Sequence, residues 1–176
     1  MLILLALTAA AAGILISLKK NFISVWLHSF NVIISVHLSI LILGMLGSAE
    51  AASLNTAAVK GGALLVIAGV IYVFLTFAAK LLLSNIPDLN LPAILDLTLK
   101  PAAAGFACWL GFWFIIFAAG TTASGSLPAI QDKLQKTNKT AAKQITACES
   151  IARELSLCED EDVLPEVIRW IRESEN

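Results

Sequence analysis

Four long apolar runs, roughly Met1–Leu18, Phe22–Leu46, Gly61–Leu83 and Pro101–Gly120, alternate with short polar stretches and give way to one polar tail. Each run reaches or nearly reaches the ~20 residues that a helix needs to cross ~30 Å of hydrocarbon. The pattern predicts an all-α integral membrane protein. A four-helix transmembrane domain occupies residues 1–120, a linker residues 121–129, and a helical extramembrane tail residues 130–176. The first run has no basic residue before it and Lys19-Lys20 after it, so it reads as a helix and not as a signal peptide. Ala49-Glu50-Ala51 resembles a cleavage triplet, but the apolar stretch before it is far longer than a signal core.

Within the runs, small and polar residues carry the next layer of pattern. Run one contains Ala9 to Ala12 and Gly13, small residues that let helix backbones approach closely in lipid. Lys19-Lys20-Asn21 leaves room only for a tight turn, so runs one and two form an antiparallel hairpin. In run two, Ser24, His28, Asn31, Ser35 and Ser39 recur at steps of 4, 3, 4 and 4. At 3.6 residues per turn they share an arc of about 80°. Unpaired polar groups are costly in hydrocarbon, so this intramembrane polar face is expected to look into the bundle. Two roles fit it: interhelical hydrogen bonding, or a polar seam along a pathway. Ser29 and His37 lie off the arc. Run four carries an Ala103, Ala107, Gly111 ridge suited to helix contact. Trp109 and Trp113 sit near its middle, where packing against protein is the simplest role.

Between runs three and four, Ser84-Asn85-Ile86-Pro87-Asp88 stops a helix, and Asn90-Leu91-Pro92 starts another. The spacing of Leu91, Ile94, Leu95, Thr98 and Leu99 predicts a short interfacial helix before the fourth membrane helix, with Asp96 and Lys100 able to pair across one turn. Pro101 then opens run four or kinks the join. In the tail, Leu134, Asn138, Ala141, Ile145, Cys148, Ala152 and Leu155 follow a heptad seam weakened by Asn138 and the alanines. A second short helix is expected around Val163–Ile171. The seam meets either that helix or another subunit.

Composition sharpens this picture. The chain has 176 residues, of which 14% are charged, against the ~25% usual in soluble domains. Lys133, Lys136, Lys139 and Lys143 open the tail and Glu159 to Asp162 follow, a division that suits either a solvated face or attraction to anionic lipid headgroups. No basic-aromatic pattern points to nucleic acid. Cys108, Cys148 and Cys158 lack CxxC spacing; Cys108 reads as a packing residue, and Cys148 and Cys158 pair only if the tail folds back in an oxidising compartment. His28 and His37 are nine residues apart and cannot share a metal on one helix face. There is no P-loop, Rossmann glycine pattern or nucleophile elbow. No catalytic, cofactor-binding or metal residue is therefore assigned, and the expectation is a non-enzyme without cofactor. Its partners would be the lipid bilayer and either a second copy of the chain or another membrane protein.

The arrangement resembles the colicin V production protein (CvpA) family of bacterial inner-membrane proteins. Three features carry the resemblance: the short basic turn Leu18-Lys-Lys-Asn-Phe-Ile-Ser-Val-Trp26, the glycine-containing third helix, and Leu95-Asp96-Leu97-Thr98-Leu99 at the entry to the fourth helix. Asp96 and Leu99 match the family's Leu-Asp-Arg-x-Leu-Gly entry motif. Leu97 replaces its arginine and Lys100 its glycine, and Asn21 stands where the family's basic turn has glycine. The resemblance covers residues 1–120 and implies a multi-pass protein of the bacterial inner membrane that assists peptide-toxin export or envelope homeostasis. The competing expectation is a small oligomeric channel or transporter subunit lined by the polar face of run two. Lys19, Lys20, Lys80 and Lys100 lie on one side, and Lys60 with the tail lysines on the side of the termini, a nearly balanced count. Because the tail lysines begin a dozen residues past run four and weight fades with distance from a helix end, both termini are expected to face the periplasm.

Overall fold

The computed structural model describes residues 1–48, 57–83, 93–124 and 131–156. Among these residues it is all-helical, with α1 Leu2–Leu18, α2 Phe22–Ser48, α3 Ala57–Leu83, α4 Ala93–Ser124 and α5 Gln131–Ser156. Three helices are long and apolar enough to cross a membrane, over Phe22–Leu46, Val59–Leu82 and Asp96–Ala123. α1 is a shorter apolar helix of 17 residues, about 26 Å long at the α-helical rise.

The helices gather into two compact units. One combines Met1–Ser35 with Val70–Phe112, the other Val36–Gly69 with Trp113–Asn176. In the first unit α1 and α4 run antiparallel with their small residues face to face. A Cβ on Gly13 would meet Ala104 O at 3.2 Å and the Cys108 side chain, and one on Gly105 would meet Ile14 at 3.2 Å. α1 is therefore met by Ala104, Gly105 and Cys108, one step round the helix from the expected Ala103 edge. Gly111 faces Val32 instead. Gly13 sets the choice, because only the absence of its side chain lets Cys108 Sγ reach the α1 backbone.

The second unit has a core of Ile40 and Leu43 from α2, Leu64 from α3, and Trp113, Phe117 and Ala118 from α4. α3 meets α4 through Gly61, whose missing side chain leaves room for Thr122 and the Ala118 carbonyl. α5 joins this unit by burying Asn138, Ala141, Ala142, Ile145 and Cys148. These fall on one side of the helix, the central part of the heptad seam. The second tail helix expected around Val163–Ile171 lies outside the described residues, as do Asp88 and Cys158.

Two boundaries differ from the sequence expectation. The short helix before run four is not separate: it forms the opening turns of α4, which continues through Pro101. Proline removes one hydrogen bond to the carbonyl four residues back. The Asp96–Lys100 pair spans the turn before it, with Lys100 Nζ donating to Asp96 Oδ2 at 3.0 Å. At the other end α4 runs to Ser124, so the first residues of the expected 121–129 linker are helical. The Thr121 hydroxyl donates to Phe117 O and the Thr122 hydroxyl to Ala118 O, both at 2.8 Å. Hydroxyls bonded back into the helix no longer compete with its backbone, and packing of Gly120 and Thr121 against α5 holds the last turn in place.

Candidate functional site

The polar face of α2 is the main concentration of chemistry inside the apolar spans. Asn31, Ser35 and Ser39 are buried, while Ser24 and His28 are half-buried. In the first unit the face reaches α3 at two places. His28 Nδ1 and the Tyr72 hydroxyl are 3.0 Å apart, with their rings stacked at a centroid distance of 6.4 Å. Three residues further along α2, Asn31 Nδ2 donates to Thr76 Oγ1 at 3.3 Å. His28 and Asn31 lie on one stripe of α2, Tyr72 and Thr76 on one stripe of α3, so a single helix contact accommodates both pairs.

The two serines act differently. Ser35 Oγ donates to Val32 O at 2.9 Å, and Ser39 Oγ donates to Val36 O at 2.8 Å. Both hydroxyls are satisfied by their own helix, which is how serine resides in an apolar environment without a partner helix. Ser29, off the arc, is also buried, so burial on α2 extends beyond the polar stripe.

The residues singled out at the entry to run four divide. Lys100 is buried, and its ammonium bonds both Asp96 Oδ2 and the carbonyl of Lys20, the latter at 3.1 Å. That carbonyl belongs to the tight turn between α1 and α2, where the Lys19 and Lys20 amides donate back to Ile16 O and Ser17 O. Lys100 thus ties the α1–α2 turn to the first turns of α4. Leu99 is exposed and takes no part.

In the second unit, Asn138 from α5 donates through Nδ2 to Thr121 Oγ1 at 3.4 Å and packs against Gly120. Asn138 is wholly buried. It is the residue that weakens the heptad seam in the sequence, and its role depends on the glycine and threonine opposite.

The sequence reading missed Tyr72 and Thr76. Both are single polar residues in an otherwise apolar stretch of α3, and their spacing of four was the available signal. The Lys20 carbonyl carried no signal, since a backbone acceptor leaves no trace in residue types. Among the described residues no group of three or more His, Cys, Asp or Glu is placed to hold a metal ion. What the arrangement does chemically is hold helices together by hydrogen bonds in an apolar medium. No protein-family model matches the chain, and no curated protein or solved structure matches it either.

Proposed function

We propose that this chain is a non-enzymatic accessory protein of the bacterial inner membrane, similar in role to the CvpA family, assisting export of a peptide toxin or envelope homeostasis. The observation that carries this reading is the state of the α2 polar face. His28 and Asn31 are engaged by α3, and Ser35 and Ser39 by their own backbone. A solute path needs polar groups that exchange partners with the solute, whereas these serve cohesion between helices. That favours a scaffold over the competing channel or transporter subunit.

In this reading α1 is the fourth span. Ile3, Leu4, Leu5, Leu7, Leu15, Ile16 and Leu18 are exposed on most sides of it, and a helix apolar all round that is not covered by protein belongs in lipid. Its length falls only a few ångströms short of ~30 Å, a mismatch that local thinning of the bilayer absorbs at small cost. With four spans both termini lie on the same side of the membrane.

The test is reconstitution beside genetics. Proteoliposomes containing the purified chain should pass ions and small dyes no faster than empty liposomes. In a bacterial host that carries the chain, its deletion should lower secretion of a peptide toxin or raise sensitivity of the envelope to detergent. Flux above that of empty liposomes, abolished by His28→Leu with Asn31→Leu, would establish the channel reading in its place.

A further inference from the structure

α5 has two faces of opposite character. Asn138, Ala141, Ala142, Ile145 and Cys148 are buried. Lys136, Lys139 and Lys143 are exposed and fall within an arc of about 60° on the other side of the helix. Between Lys133 and Cys148 the sequence has no acidic residue. Over these four turns the helix therefore carries positive charge alone.

The position of that face relative to the membrane follows from Asn138. Its bond to Thr121 and its contact with Gly120 join α5 to the last turn of α4. Thr121 lies two residues from the end of the apolar span Asp96–Ala123. Lys136 and Lys139 are within one turn of Asn138. Lys143 is five residues on, at most about 8 Å along the axis. With the apolar run Pro101–Gly120, about 30 Å long, taken as the span, the backbone positions of all three lysines lie within roughly one to two Debye lengths of the level at which α4 leaves the hydrocarbon. A lysine adds its four-carbon stem to that reach.

We propose that the Lys136–Lys139–Lys143 face of α5 is a binding surface for anionic phospholipid headgroups. The occupant is set by charge and place: three exposed ammonium groups share one face of a helix that is anchored beside the end of an apolar span, near the level of the lipid phosphates. The buried face fixes α5 on the protein, so the lysines are held at the membrane surface with little further loss of freedom on binding. The inference rests on the placement of α4 in a bilayer and is independent of the role in export.

The experiment uses the full chain in lipid nanodiscs containing a phosphatidylglycerol whose headgroup carries a photoactivatable group, with a phosphatidylcholine analogue as the comparison. Adducts are quantified on peptides covering residues 131–156. Phosphatidylglycerol should label this segment well above phosphatidylcholine. Each surface lysine contributes about fivefold in attraction to an anionic surface, so Lys136→Gln, Lys139→Gln and Lys143→Gln together should lower labelling at least about tenfold. The corresponding arginine variants should retain it, and circular dichroism should show both proteins equally helical. Unchanged labelling in the glutamine variant would overturn the proposal, as would equal labelling by both lipids. A third outcome also overturns it: labelling that emerges only after Glu159, Asp160, Glu161 and Asp162 are changed to their amides. The lysines would then be covered by the chain's own acidic segment.

Discussion

Gly61 and Gly62 are adjacent in sequence, yet their replacement by alanine should act in opposite directions. A Cβ on Gly61 would meet the Ala118 carbonyl oxygen and the Thr122 hydroxyl, and would lie 2.7 Å from Thr122 N. Two of these three atoms are backbone, which cannot rotate aside. An ordinary non-bonded carbon contact needs about 3.5–4.0 Å, so α3 and α4 must separate locally by about 1 Å. Such a gap forfeits a quarter to a half of the dispersion attraction across it, and overpacking of this kind costs about 1–3 kcal/mol. The gain in helix propensity offsets at most about 1 kcal/mol. Gly61→Ala should therefore lose about 1–2 kcal/mol, roughly a tenfold shift in the unfolding equilibrium. A Cβ on Gly62 meets nothing within 4 Å. Gly62→Ala should be neutral or stabilising by up to about 1 kcal/mol. Reversible unfolding of the purified protein by sodium dodecyl sulfate, followed by tryptophan fluorescence and by circular dichroism, measures both. Equal changes for the two alanines, or a stabilised Gly61→Ala, would refute the close approach of α3 to α4.

Other expectations concern single contacts. His28→Leu and Asn31→Leu should each cost about 0.6–2 kcal/mol in the same unfolding assay; because they bond different residues of α3, a double-mutant cycle should couple His28 to Tyr72 and leave His28 and Thr76 uncoupled. Lys100→Met removes the bonds to Asp96 and to Lys20 O from a buried site, and a loss of about 1.5–3 kcal/mol is expected, with faster protease cleavage at the α1–α2 turn; an unchanged turn would show that Lys100 does not hold it. Gly120→Ala should displace the Asn138 amide and expose α5 to protease, and Asn138→Ala should relieve the clash, giving a favourable coupling of about 0.5–3 kcal/mol between the two positions. For topology, Cys148 is buried and makes a poor reporter; a cysteine placed at the exposed Thr140, in a background with Cys108, Cys148 and Cys158 changed to serine, should react with a membrane-impermeant maleimide in intact cells, and reaction only after lysis would place the tail in the cytoplasm.

The apolar runs located α1 to α4 closely because the signal they use is local. Hydrocarbon requires every backbone group to be satisfied within the segment, so a run of apolar residues near 20 long leaves few alternatives to a helix. Where the sequence reading placed a boundary at a single residue type, it was less accurate. Pro101 suggested a join, yet α4 passes through it; the missing backbone bond and the ring clash cost about 3 kcal/mol, which burial of Ala104, Ala107, Leu110 and the turns beyond offsets. Gly120 and the two threonines after it suggested a linker. There the local preference for a turn yields to the hydroxyl bonds into α4 and to the packing of α5.

The candidate site was legible in one half only. The stripe from Ser24 to Ser39 is visible as a period in α2, but the period cannot say which member bonds another helix and which bonds its own backbone. That difference depends on what lies opposite: Tyr72 and Thr76 face His28 and Asn31, whereas Ser35 and Ser39 donate to carbonyls three residues back. Asn138 makes the same point from the other side. Read along α5 it is a flaw in an apolar seam, and its amide would be costly to bury without a partner. Set against Gly120, which leaves space for the amide, and Thr121, which accepts from it, Asn138 is a lock between α4 and α5. An apolar residue in its place would regain seam area but lose the bond that fixes the register of α5 on α4. On that register depends the side of α5 to which Lys136, Lys139 and Lys143 are turned.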